Sequence, residues 1–170
     1  MGISCFFVYL SLLNNMDLDS EIDSYIHSWI LNVSESRPEL NGLPICPFAK
    51  QSKFKIIHCN ISDIDILNDY DVMIFVVEDH LNLEDIEKWI SFYNNKYLNW
   101  KFFEDCKEKD SYINNVKTNN GKYNLVLAQP KEKLKKYRKI LTKTNYYTYW
   151  NKDYLKEILE DDYDLIIDKG

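Results

Sequence analysis

Glycine is scarce in this chain of 170 residues, with only Gly2, Gly42, Gly121 and Gly170, widely separated. A dinucleotide-binding fingerprint needs three glycines close together, so it is excluded, and no glycine-rich phosphate loop or serine nucleophile elbow is present. Arginine is scarcer still. Arg37 and Arg138 stand alone among 21 basic residues, which weakens any case for bidentate phosphate recognition. The four cysteines, Cys5, Cys46, Cys59 and Cys106, form no C-x-x-C pair and no zinc-like spacing, so neither a metal nor a cofactor is implied. Long apolar runs are missing too. Residues 3–13 are too few to span a bilayer, no basic residue precedes them and no small-residue cleavage site follows. Phe6 after Gly2 breaks the myristoylation pattern.

What the chain does have is ordinary globular composition: 45% hydrophobic and 28% charged residues. That content can bury a proper core. The net charge of −6 argues against a general nucleic-acid binder. Aromatic residues reach 15%, with 13 tyrosines, whose rings are expected to bury their bodies and keep the hydroxyl near a polar partner. Residues 1–18 are expected to form an N-terminal extension, either an edge strand or poorly ordered. Residues 19–170 are expected to form a single globular domain with reduced thiols in the cytoplasm and no membrane contact.

Apolar residues Ile22, Tyr25, Ile26, Trp29, Ile30 and Val33 recur at three- and four-residue spacing and predict a helix from Asp19, stopped by Pro38. Strand signals follow at residues 54–59, 72–77, 100–106 and 123–128. The second of these is continuously apolar, as in a strand buried on both faces. Asn82 is placed to cap a helix bearing Leu83, Ile86, Trp89, Ile90 and Tyr93 on one face. Pro130 opens another with Leu134, Tyr137 and Leu141 as its stripe. Asn151 caps a last one carrying Tyr154, Leu155, Ile158 and Leu159. Residues 110–121 are polar and read as a mobile loop or a turn between strands. The order predicts an α/β or α+β fold with one four-stranded sheet packed by helices, ferredoxin-like or thioredoxin-like.

Residues 41–50, Asn-Gly-Leu-Pro-Ile-Cys-Pro-Phe-Ala-Lys, hold two of the four prolines, one of the four glycines and one of the four cysteines. Pro44 and Pro47 stiffen the backbone on both sides of Ile45-Cys46. With Pro47 opening a helical turn, Cys46 would sit at its N-cap and Lys50 within one turn, a setting that favours thiolate. Cys46 and Lys50 are therefore the candidate catalytic pair. The competing reading makes Cys46 a small buried hydrophobe in a stiff loop.

The segment Ile45-Cys46-Pro47-Phe48-Ala49-Lys50 resembles the active-site segment of glutaredoxins and cysteine-type glutathione transferases. That resemblance implies a monothiol Cys46 acting on glutathione disulfides, with Ala49 in place of a second cysteine. The family has a strand before its cysteine and a long first helix after it, and this chain has neither pattern. A wider resemblance is to a bacterial domain family of unknown function with a Gly-Leu-x-x-Cys-Pro-Phe-Ala-Lys loop, through Gly42-Leu43, Cys46 to Lys50, Trp29 and the order of the following elements. It implies a fold and a common loop but no activity.

Other constellations read structurally. Glu78, Asp79 and His80 end a buried strand as a charged turn, and Glu104, Asp105, Glu108 and Asp110 read as a solvated edge. His58 and Cys59 should point to opposite faces of their strand. Lys131, Lys133, Lys135, Lys136, Arg138 and Lys139 make a basic helix face, partly neutralised by the acidic end of the chain. No catalytic set is complete, and Tyr and Trp are enriched in binding hot spots. The expected function is therefore a non-catalytic accessory domain that binds a protein partner. Pro44, Pro47, Phe48, Tyr146, Tyr147, Tyr149 and Trp150 are its candidate binding residues. Cys46-dependent thiol or glutathione-linked redox chemistry is the first alternative. Nucleic-acid contact through residues 131–139, unlikely on net charge, is the second.

Overall fold

The computed structural model describes residues 3–159, apart from the side chains of residues 3–16, Tyr154, Glu157 and Ile158. The fold is mixed α/β around the expected four-stranded sheet. It begins with helix α1, Ile3–Val33, of 31 residues. This corrects the expectation of an extension or edge strand before Asp19. Between Gly2 and Pro38 no glycine or proline interrupts the chain, so nothing stops helix propagating across the apolar run. Ser24 and Ser28 donate their hydroxyls to the carbonyls of Ser20 and Ser24 at 2.8 and 3.0 Å, which satisfies them inside the helix.

A hairpin follows, with β1 (Ser36–Arg37) antiparallel to β2 (Leu43–Pro44). Its return passes through a 3-10 turn, Pro38–Leu40, then Asn41 and Gly42 at φ of 55° and 82°. Gly42 supplies the left-handed conformation that most residues resist. The chain then makes a short 3-10 turn, Ala49–Gln51, and enters β3 (Phe54–His58). A third 3-10 turn, Ile61–Asp63, leads toward β4 (Val72–Val76). Helix α2 (Leu83–Lys96) starts where expected: Asn82 accepts the Asp85 N–H at 2.9 Å. Strand β5 (Trp100–Asp105) comes next.

The polar stretch after β5 is a second hairpin, β6 (Tyr112–Ile113) with β7 (Val116–Lys117), turned by Asn114 and Asn115 at positive φ. The turn alternative for residues 110–121 is thus the one realised. Strand β8 (Leu125–Pro130) runs directly into α3 (Lys131–Leu141), so Pro130 is both the last residue of the strand and the N-cap of the helix. A 3-10 turn, Tyr146–Tyr149, and helix α4 (Lys152–Leu159) complete the described chain. Asn151 caps α4 by accepting the Asp153 N–H at 2.8 Å. The side chains of Tyr154, Glu157 and Ile158 and the acidic residues Glu160, Asp161, Asp162, Asp164 and Asp168 lie outside the described residues.

The sheet order is β3-β4-β8-β5, with β3 and β4 parallel and the other pairs antiparallel. Strand alternation assigns its two faces. One face, with Met73, Phe75, Phe102, Val126 and Ala128, is sealed by Ile86, Ile90 and Tyr93 of α2. The other, with Ile74, Val76 and Leu125, meets Ile22, Ile26 and Ile30 of α1. His58 and Cys59 do diverge: Cys59 joins the α2 side. His58 is held from α1 by Asp23 at 2.8 Å and Asp19 at 3.3 Å.

Candidate functional site

The two faces of the sheet are covered unequally. On the α1 side, α1 packs on β3 and β4, while α3 and the 3-10 turn after it stand over the β8–β5 half. Between these covers a cavity of about 470 Å³ remains. Register fixes its floor. Ile74, Leu127 and Phe103 form one row across β4, β8 and β5. Gln129 and Lys101 form the next row toward one end, and Leu125 and Asp105 the row toward the other. Trp29, Ile30 and Val33 of α1 make one wall; Leu134, Tyr137, Arg138 and Leu141 of α3 make another.

Residues 45–49 and the aromatic run close the remaining sides. Cys46, Pro47 and Phe48 line the cavity, and so do Tyr146, Tyr147 and Trp150. Contacts between distant parts of the chain hold these walls in place. The Cys46 N–H donates to the Val33 carbonyl at 2.7 Å. Phe48 stacks on Tyr137, ring centres 4.0 Å apart and 12° from parallel. The buried Tyr146 donates its hydroxyl to the Ile45 carbonyl. Trp29 donates its indole N–H to the Thr118 carbonyl at 3.2 Å.

The structure therefore brings six of the nine sequence-nominated residues around one cavity. Three stand apart. Lys50 is exposed and does not line it, Pro44 sits in β2, and Tyr149 packs with Val33, Leu40, Ile45 and Ile113. The aromatic run is turned inward, with Tyr146 6% exposed, and does not form the outward-facing patch that composition suggested.

Cys46 sits in conflicting surroundings. The backbone N–H groups of Phe48 and Ala49 favour its thiolate, but burial dominates and pushes the thiol above its ordinary 9.0. The turn after it is a three-residue 3-10 segment, far shorter than the glutaredoxin-type helix. Cys59 and Cys106 are pushed up to about 11 and about 12 by burial first and by neighbouring carboxylates second.

Asp105 overturns the reading of residues 104–110 as a uniformly solvated edge. It is only 8% exposed and lines the cavity at the end of β5. Strand alternation carries the signal that places it on the same face as Lys101 and Phe103. Asn120 clamps it, donating both its backbone N–H and its Nδ2 to Asp105 Oδ1. Asn120 Nδ2 also reaches the Tyr123 carbonyl, and its Oδ1 accepts the N–H groups of Lys122 and Tyr123 at 2.9 and 2.7 Å. Burial pushes the Asp105 carboxyl up to about 6. The Asn120 donors oppose that shift, Glu104 adds to it, and Lys117 opposes it.

The remaining candidates do not converge. Glu78 accepts the Ile61 N–H at 2.8 Å, Asp79 pairs with Lys107, and His80 is exposed. Among the described residues no cluster of His, Cys, Asp and Glu is placed to hold a metal ion, and no helix is long and apolar enough to cross a membrane. On α3, Lys131, Lys133, Lys135, Lys136 and Lys139 are exposed, with Lys133 held by Asp71. The chain matches no protein-family model, no curated protein and no solved structure.

Proposed function

We propose that this chain is a non-catalytic binding domain that takes a small, largely apolar molecule into the cavity between the sheet, α1 and α3. The observation that carries this is the cavity itself: about 470 Å³, floored by Ile74, Leu127 and Phe103 and walled by Trp29, Phe48, Tyr137, Tyr146 and Trp150. Ligand sites run to roughly 300–1,000 Å³, with mostly apolar and aromatic linings and a few placed polar groups. A folded core of this size would normally close such a space, because interior packing is dense. The accessory role expected from sequence is kept, and recognition moves from an outer aromatic surface to an inner one. The thiol reading has one point in its favour, the two N–H groups at Cys46, and the raised thiol pKa weighs against it.

The test is calorimetric titration of the folded chain with indole, alongside a Leu127→Trp variant that fills the middle of the floor. Wild type is expected to bind, and the variant to bind at least ~10-fold more weakly, about 1.4 kcal/mol, while still unfolding cooperatively. No binding by wild type, or equal binding by a folded variant, would reject the proposal.

A further inference from the structure

Resting on that cavity reading, we propose that its Asp105 end is a subsite for a protonated amine, so that the ligand is an apolar body carrying a primary ammonium group. The geometry is one-sided. Both Asn120 donors go to Oδ1, and Asp105 Oδ2 has no hydrogen-bond partner among the described residues. The residue is 8% exposed and lines the cavity. Oδ2 is not fully buried, so a donor delivered by a ligand can reach it and complete the set.

Charge selects the kind of donor. The charged groups facing the cavity with Asp105 are Glu104, Lys101 and Lys109 of β5 and the segment after it, Lys133 and Arg138 of α3, and Asp71, and no cation among them is free: Lys133 pairs with Asp71, and Lys101 and Arg138 are engaged elsewhere. Lys109 Nζ is 2.7 Å from Glu104, and Lys117 Nζ is 2.5 Å from Asp110. A ligand ammonium would meet Asp105 as an added opposite charge, an anion would be repelled, and a neutral hydroxyl would give the hydrogen bond alone. The floor sets the spacing. From the Phe103 row to Asp105 is two residues of strand, about 6.6 Å, which suits an aromatic ring joined to nitrogen by a two-carbon arm.

Acidity should report the same contact. Burial pushes the Asp105 carboxyl up to about 6, so an ammonium ligand should weaken as the pH falls through that value and a neutral one should not.

Calorimetric titration of the full chain at pH 7.5 with tryptamine, tryptophol and indole-3-propionate separates the possibilities. Tryptamine is expected to bind at least ~10-fold more tightly than tryptophol, as charge-assisted bonds exceed neutral ones, with the propionate weakest. Asp105→Asn should abolish the preference for tryptamine and leave tryptophol within about twofold. If Asp105→Asn does not fold, wild type still decides, because tryptamine must weaken at pH 5 relative to tryptophol. Equal binding of tryptamine and tryptophol, or tightest binding of the propionate, overturns the amine subsite and leaves the cavity reading standing. Binding of none of the three overturns both.

Discussion

Replacing Asp105 with asparagine should make this protein more stable at neutral pH, and the amount can be worked out. Its carboxyl rises from an ordinary 3.8 to about 6 in the fold. At about 1.36 kcal/mol per pH unit, the ionised form is disfavoured in the folded state by about 3 kcal/mol. Asparagine keeps an acceptor for Asn120, and the charge assistance of those bonds is already included in the net rise. The net gain at pH 7 is therefore about 3 kcal/mol. Between pH 3.8 and about 6 the native chain holds more protons at this site than the unfolded chain, so the wild-type contribution falls as pH rises. Above that window the loss is complete and constant; below it both states carry the proton and the advantage of asparagine disappears. Urea unfolding of both proteins from pH 4 to 7.5 isolates this one group, because the other titrations cancel in the difference. A variant less stable than wild type at pH 7, or a difference that does not change with pH, would refute the reasoning.

Two further outcomes are expected. Tyr146→Phe removes the hydroxyl donated to the Ile45 carbonyl and should lower stability by about 1–3 kcal/mol, read as a lower urea midpoint; an unchanged midpoint would show that the bond is not formed. Cys46 alkylation by iodoacetamide should be slow in the folded protein and still rising at pH 9, because the thiol is raised above its ordinary 9.0; a plateau below that pH would restore the thiol reading.

Much of the fold was legible because periodicity and capping agree locally. The run 72–77 holds β4, Val72–Val76, buried on both faces, and Asn82 and Asn151 cap the helices that follow them. The helix through residues 3–13 was missed because an apolar run without polar alternation fits strand or helix equally; continuity with the amphipathic stretch after it decides the matter. The site was legible in pieces. Proline spacing singled out Cys46, Pro47 and Phe48, and composition singled out Tyr146, Tyr147 and Trp150. That these pieces meet depends on a bond across 101 residues, which no local window contains. Asp105 was hidden by its acidic neighbours: Glu104 and Glu108 carry the charge of a surface, and only the alternation of β5 separates Asp105 from them.

The placement of β8 also makes the sheet depend on a strand far along the sequence. It pairs with both β4 and β5, which do not pair with each other. Until residues 125–130 arrive, β4 has β3 alone as a neighbour and β5 has no strand beside it. A chain interrupted before that point would present two open edges, one of them the apolar Val72–Val76. Such edges recruit strands from other molecules. Pairing by β8 thus protects the β4 edge against association, and a chain lacking that strand is prone to it.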